Sequence, residues 1–231
     1  TEAGHTTTAR DLSILSTRLM QDFPEYVGYS AIKKYRYPGT PASNDTNRNT
    51  LLFRDPSVDG LKTGYTEAAG YCLIATAQRE FPNLGMGGTG PGKRRILTVL
   101  LNTKSMEMRA SESQKLLNWG FQAFDAMRLF DDAKPIATPK VWKGKAPEAK
   151  LGVQGGLMVS VPKGEGGKLQ TKVERTDPLV APLTKGQRVG TVRVTTLSGA
   201  PVIEVPLVVL EAVEQAGIFG RTWDAIRLWI K

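Results

Sequence analysis

Histidine and cysteine are almost missing from this chain: His5 and Cys72 are single representatives in 231 residues. No intrachain disulfide can form, which suits a reducing compartment and equally an extracytoplasmic protein large enough to fold without crosslinks. A zinc site built on His and Cys has almost nothing to draw on. An ordinary Ser-His-Asp triad would have to recruit His5 from the terminus. No cofactor or metal is implied. No hydrophobic run approaches the roughly 20 residues that a membrane-spanning helix needs. No signal peptide opens the chain, which begins at Thr1 without methionine and reads as processed, cut or incomplete. Internal repeats and low-complexity tracts are absent. So are a nucleic-acid motif and a basic stripe interleaved with aromatics, which leaves no nucleic acid among the expected partners.

What is present supports a folded protein. With 40% hydrophobic and 23% charged residues the chain can bury a core, and a net charge of +9 favours acidic partners, among them anionic lipid and acidic polymers. Thr8-Ala9-Arg10-Asp11 reads as a capping box, followed by Leu12, Leu15 and Leu19 at helical spacing until Asp22 and the helix-ending Pro24. Residues 33–50 read as irregular. Strand-like runs follow at about 60–64, 70–78 and 95–102, with a long glycine-rich hairpin loop between the last two, at 81–95. From 108 to 124 the pattern turns helical, with Leu116, Leu117, Phe121 and Phe124 on one side. Cys72, among small and aliphatic residues on a strand, reads as a small buried hydrophobe. Composition shifts near residue 125: most of the 14 prolines then punctuate short apolar runs, the pattern of a small β-sandwich or barrel. The expectation is an α+β chain of two domains and a tail, divided as 1–125, 126–213 and 214–231.

The chemistry concentrates in "DGLKTGYTEAAGYCL", beginning at Asp59. A serine acyl-transferase acting on a peptide carboxy-terminus needs a nucleophile, a base, an oxyanion hole and a cation for the terminal carboxylate. A strand carrying Lys62-Thr63-Gly64 can supply the last two. Lys62 offers charge, Thr63 a hydroxyl, and Gly64, without a Cβ, lets a ligand lie along the strand edge and pair with its main chain.

With its flanks, "TTTARDL", "NRNTLLFRDPSVDGLKTGYTEAAGYCLIATAQR" and "SESQKLLNWGF", the chain resembles the D-alanyl-D-alanine carboxypeptidases, the low-molecular-mass, type-5 class of penicillin-binding protein. The β-rich region from about 126 to 213, with "PLVVLEAVEQAGIFG", resembles that family's carboxy-terminal domain. The resemblance implies part of a β-lactamase/transpeptidase-like domain, an antiparallel sheet with covering helices, followed by a small all-β sandwich. It implies a serine DD-peptidase that removes the terminal D-alanine from peptidoglycan pentapeptides ending in D-Ala-D-Ala through an acyl-enzyme and is acylated by β-lactams. Lys62 and Thr63 would bind the region of the substrate's terminal carboxylate, beside Gly64. The backbone N–H of Tyr65, where the family commonly has histidine, would be half of the oxyanion hole. Thr66 would line the same strand edge, and Arg109 matches an arginine that the family uses near the substrate carboxylate. Read without the resemblance, Arg109 is a helix-surface charge.

The serine is missing. In this family an S-x-x-K lies well over a hundred residues before Lys-Thr-Gly, with an S-x-N between them, and here 61 residues precede Lys62. Ser30-Ala31-Ile32-Lys33 runs into an extended stretch, Ser160-Val161-Pro162-Lys163 carries a proline that would interrupt the required helix, and no S-x-N occurs. The expectation is therefore a carboxy-terminal part of such an enzyme without nucleophile or base. Its residues 1–125 would keep an open sheet edge and exposed apolar faces and be poorly stable alone, while 126–213 could fold independently.

In the tail, Phe219, Trp223, Ile226 and Ile230 form one helical stripe, with Arg221, Asp224, Arg227 and Lys231 toward the opposite side. Such a helix suits the interface of an anionic membrane; its other reading is a helix docked on the β domain. The family is anchored through a helix of this kind, which implies the periplasmic face of the cytoplasmic membrane. The alternative to an enzyme is a non-catalytic module that docks cell-wall peptides, or a membrane-anchored scaffold.

Overall fold

The computed structural model describes residues 4–81 and 92–229. They fall into two compact units, one of residues up to 81 together with 92–123, the other from 124 onward. Most of the glycine-rich loop lies outside the described residues.

The first unit opens with α1 (Ala9–Asp22), capped by Thr8, whose Oγ1 accepts the Asp11 N–H at 3.1 Å. Asp11 does not reach the cap amide; its Oδ2 accepts the Thr8 hydroxyl at 2.8 Å. The leucine spacing marks the helix but not its buried face. Ser16 is the buried residue of α1, and Leu15 is 65% exposed. A 3-10 turn (Pro24–Tyr26) leads into α2 (Val27–Ser30), and two further 3-10 turns (Ala42–Asn44, Thr50–Phe53) punctuate the irregular stretch. An antiparallel sheet follows, of β1 (Val58–Thr66), β2 (Gly70–Phe81) and β3 (Gly92–Thr103) in the order β1-β2-β3, each strand longer than its sequence signal.

The helix α3 (Met106–Ala123) packs on β2 and β3. Its expected apolar face needs correcting: Leu117 is fully buried, but Leu116 is exposed and Phe124 already belongs to the next strand. Small residues carry the contact instead, with Ala110, Ser113 and Gly120 buried. A Cβ on Gly120 would meet Ile96 Cδ1 at 2.9 Å, so the close approach of helix to sheet depends on its absence. The core joins these to Leu51, Leu52, Val58, Leu73, Ala75 and Ala77.

The second unit comprises β4 (Phe124–Phe130), β5 (Val141–Trp142), β6 (Leu151–Gly152), β7 (Leu157–Pro162), β8 (Leu169–Arg175), β9 (Leu179–Val180), β10 (Arg188–Thr196), β11 (Pro201–Val209) and the helix α4 (Ile218–Trp229). A four-stranded sheet β6-β11-β10-β8 and the pairs β4-β7 and β5-β9 share one core. Alternation in β7 shows how the sequence dictates this, with Leu157, Val159 and Val161 inward and Met158 and Ser160 outward. No helix among the described residues is long and apolar enough to cross a membrane.

Residue Lys143 holds the tail. Its N–H donates to Asp224 Oδ2 of α4 at 2.7 Å, and its carbonyl accepts the Ala216 N–H at 2.8 Å. Asp224 is thus half-buried against the β unit instead of belonging to a solvated polar face. Next to it Trp223 remains 63% exposed, and Trp229 is 89% exposed. The Phe219, Ile226 and Ile230 side chains of the expected stripe lie outside the described residues.

Candidate carboxylate-binding site

The site is built on an edge strand. Among the described residues β1 pairs with β2 on one side only, with Lys62 opposite Ile74, Thr63 opposite Leu73, Gly64 opposite Cys72 and Tyr65 opposite Tyr71. The turn between the strands is closed by Thr66, whose Oγ1 accepts the Ala69 N–H at 3.0 Å. Gly70 follows at φ +62°, where a Cβ would meet Asn102 Oδ1 at 2.7 Å, so only glycine fits and the register is pinned.

Three residues upstream aim the strand from its other end. Asn47 donates from Nδ2 to the Ser30 and Ile32 carbonyls and accepts the Asn49 N–H; Asn49 in turn donates to the buried Gly60 carbonyl at 2.9 Å. The side-chain amides of this Asn-Arg-Asn run therefore replace regular pairing where the backbone is irregular. Arg48 is placed between them.

Arg109, one turn into α3, is no surface charge: it is only 3% exposed. Its Nη1 donates to the Gly64 carbonyl at 3.2 Å and the Cys72 carbonyl at 3.4 Å, and its Nη2 to the Arg48 carbonyl at 3.0 Å. One guanidinium thus ties β1, β2 and the Asn-Arg-Asn run together. Burial pushes its pKa below the ordinary arginine value, with smaller opposing contributions from Tyr71 and Cys72. The group stays charged, as arginine does throughout the working range. No carboxylate pairs with it among the described residues.

A cavity of about 610 Å³ opens here, lined by Arg48, Lys62, Thr63, Gly64, Tyr65, Tyr71, Met106 and Arg109. Three of these lining residues are basic and none is acidic. Lys62 is exposed and its ammonium contacts the Thr63 carbonyl. Gly64 has open space where its side chain would be: a Cβ would meet only Cys72 Cβ, at the ordinary distance of 3.8 Å. The Tyr65 and Tyr71 rings lie 4.3 Å apart and form an aromatic wall, with the Arg109 guanidinium 5.6 Å from the Tyr71 ring centre. The arrangement can hold an anionic chain end against a free strand edge. It offers no activated hydroxyl or thiol.

Of the residues expected from sequence, Lys62, Thr63, Gly64, Tyr65 and Arg109 share this cavity, whereas Thr66 lies beyond it at the end of β1, paired with Gly70. Arg48, Tyr71 and Met106 were not anticipated. Tyr71 was recoverable from the hairpin register opposite Tyr65, and Arg48 from its place between two asparagines; Met106 carries no signal. Cys72 is half-buried, with its thiol donating to the Ala69 carbonyl at 3.3 Å. Neither formal S-x-x-K match is helical. The helix α2 stops at Ser30, leaving Lys33 beyond it with its ammonium 5.7 Å from the Phe53 ring centre, and Ser160 pairs with Ala126 in a strand.

The geometry defines a free strand edge beside a basic cavity, and comparison with known proteins gives the family. Residues 1–85 match the family described as D-alanyl-D-alanine carboxypeptidase, and residues 124–215 match penicillin-binding protein 5, C-terminal domain. The chain belongs to the D-alanyl-D-alanine carboxypeptidase family of penicillin-binding proteins. It is 36% identical over 227 residues to the D-alanyl-D-alanine carboxypeptidase DacC of Escherichia coli (strain K12), covering 97% of this chain and 53% of that protein. It is 33% identical to DacA of Haemophilus influenzae, covering 96% of this chain and 53% of the relative. Penicillin binding protein 5 from Haemophilus influenzae superposes with a TM-score of 0.73 at 29% identity, over 90% of this chain and 57% of the other. The chain therefore spans about half the length of the curated relatives that it matches.

Proposed function

We propose that these residues form the carboxylate-binding half of a serine-type D-Ala-D-Ala carboxypeptidase site, one that removes the terminal D-alanine from peptidoglycan pentapeptides and reacts with β-lactams. The observation that carries this is the buried Arg109, without a carboxylate partner among the described residues, hydrogen-bonded to Gly64 on an open strand edge beside Lys62. In this reading Lys62, Thr63 and Arg109 draw in the terminal carboxylate. Gly64 lets the peptide lie against β1, with Thr66 continuing that strand edge toward the turn. The backbone N–H of Tyr65 stabilises the oxyanion as the acyl-enzyme forms. The serine nucleophile and its lysine base lie outside these residues. The second unit serves as the family's small β-sandwich, and α4, through Trp223 with Phe219, Ile226 and Ile230, rests on the periplasmic surface of the inner membrane.

The test is a titration with an N-acetylated peptide ending in D-Ala-D-Ala, as free acid and as carboxy-terminal amide, followed by NMR. The acid should shift the Lys62–Tyr65 amides and bind at least about tenfold more tightly than the amide, because charge-assisted hydrogen bonds are lost in the amide. Equal binding of both forms, or of neither, would overturn the proposal. Incubation with a penicillin should add no mass to this chain. An adduct on Ser30 would place a nucleophile inside it and refute the assignment of that role elsewhere.

A further inference from the structure

The first unit contains a second cavity, of about 660 Å³, which the reading above does not use. Tyr29, Tyr35 and Tyr37 contribute three rings that are 63% to 69% exposed, and Asn44, Asp45 and Thr46 face them from the other side of a short loop. The frame is held by its backbone: Tyr35 N–H donates to the Asp45 carbonyl at 2.9 Å, and Asn47 N–H to the Lys33 carbonyl at 2.9 Å. The rings are therefore presented on an ordered scaffold. The one acid in the lining is neutralised, since Asp45 accepts from Arg36 Nη1 at 3.0 and 3.2 Å. Here the electrostatics are opposite in kind to the Lys62 cavity. One holds cations that have no carboxylate partner among the described residues; the other holds flat apolar rings, amide and hydroxyl groups and an internally balanced charge.

The two cavities meet at Arg48. It is among the residues that line the Lys62 cavity, where its carbonyl accepts from Arg109, and its Nη2 donates to Asn44 Oδ1 at 3.4 Å on the edge of the tyrosine cavity. A single ligand reaching both would be anionic at one end and uncharged, ring-bearing and rich in hydroxyl and amide groups at the other. A stem peptide carried on an N-acetylated amino sugar has that constitution. Its pyranose ring offers an apolar C–H face to tyrosine rings, and its hydroxyl and acetamido groups match Asn44, Asp45 and Thr46. We propose that the Tyr29–Tyr35–Tyr37 cavity is a subsite for an N-acetylated amino sugar of the glycan that carries the peptide. This rests on the carboxylate-site reading of the first cavity.

The experiment titrates the 231-residue chain with a soluble, uncharged oligomer of N-acetylglucosamine, and separately with the D-Ala-D-Ala peptide, using calorimetry and NMR. The sugar should bind saturably. Tyr35→Ala should weaken it about tenfold, the loss expected from removing one stacking ring and its hydroxyl. Asn44→Ala is the second variant, and circular dichroism together with undiminished peptide binding shows that each variant is folded. Absence of saturable sugar binding, or binding that neither substitution weakens, overturns the proposal. If the peptide binds and the sugar does not, only this subsite falls. If the sugar binds through Tyr35 and the peptide does not bind, the carboxylate site falls and the sugar site stands on its own.

Discussion

At Gly64 the absent side chain answers to nothing inside the protein. A methyl group there would make one ordinary contact at 3.8 Å. Gly64→Ala should therefore leave the melting temperature nearly unchanged yet weaken binding of the D-Ala-D-Ala peptide about tenfold, by keeping it off the strand edge. Equal peptide affinity in the variant would show that ligands do not approach this edge. Arg109 behaves in the opposite way, since its bonds to three carbonyls make it structural as well as electrostatic. Arg109→Lys keeps the charge but loses the planar fork, so both stability and peptide affinity should fall, by about 2 kcal/mol in unfolding free energy, as seen in denaturant titration. Farther from the cavity, Asp55 accepts from Ser57 and from Arg79 Nη2 at 2.8 Å. Burial works to raise its pKa, but the bonds from Ser57 and Arg79 outweigh it and hold the group below the ordinary carboxylate range. With the folded value lowered, its contribution is complete above the unfolded pKa of about 4 and disappears as pH falls through the folded value. Asp55→Asn should then be less stable than the parent at neutral pH, and the gap should close in acid, as urea titrations at several pH values would show.

At the scale of elements, the contrast between α3 and α4 shows what the sequence makes legible. The Lys-Thr-Gly strand, its hairpin partner and the helix after it can all be located from alternation, turn residues and periodicity. The buried faces cannot. In α1 and α3 the close contacts belong to Ser16, Ala110, Ser113 and Gly120, small residues that an apolar pattern passes over. The cavity's other lining residues arrive through long-range bonds, such as that from Arg109 to the residue 48 carbonyl, which no local spacing announces. The tail is the converse case. Its amphipathic stripe is evident, but the role of Asp224 depends on Lys143, 81 positions away in the chain. Asp224→Ala should release the helix from this contact while leaving Trp223 exposed. Hydrogen exchange would detect it as faster exchange of the Lys143 amide, with about 1 kcal/mol lost from local protection. An unchanged exchange rate would mean that Asp224 does not hold the helix in solution.

For the molecule as a whole, the two units differ in self-sufficiency. Among the described residues, eighteen buried ones form the core of the second and eight that of the first. Ile14, Leu15, Phe23, Tyr26 and Phe53 of the first unit are exposed. Residues 124–231 expressed alone should unfold in one cooperative thermal transition, whereas 1–123 alone should melt broadly or aggregate, since too little apolar surface is buried to offset chain entropy. A sharp transition for 1–123 would show that its smaller core suffices. The open edge of β1 has a further consequence between molecules. A strand with one unpaired side is a template for any extended chain, including a second copy of itself. Lys62 stands on that edge, and the charge of Arg109 lies just behind it, so two such edges meeting there would bring like charges together. On the proposed reading, the same cations that draw in a foreign carboxylate would also discourage this protein from polymerising through its own edge strand, and high salt, by screening them, would relax that protection.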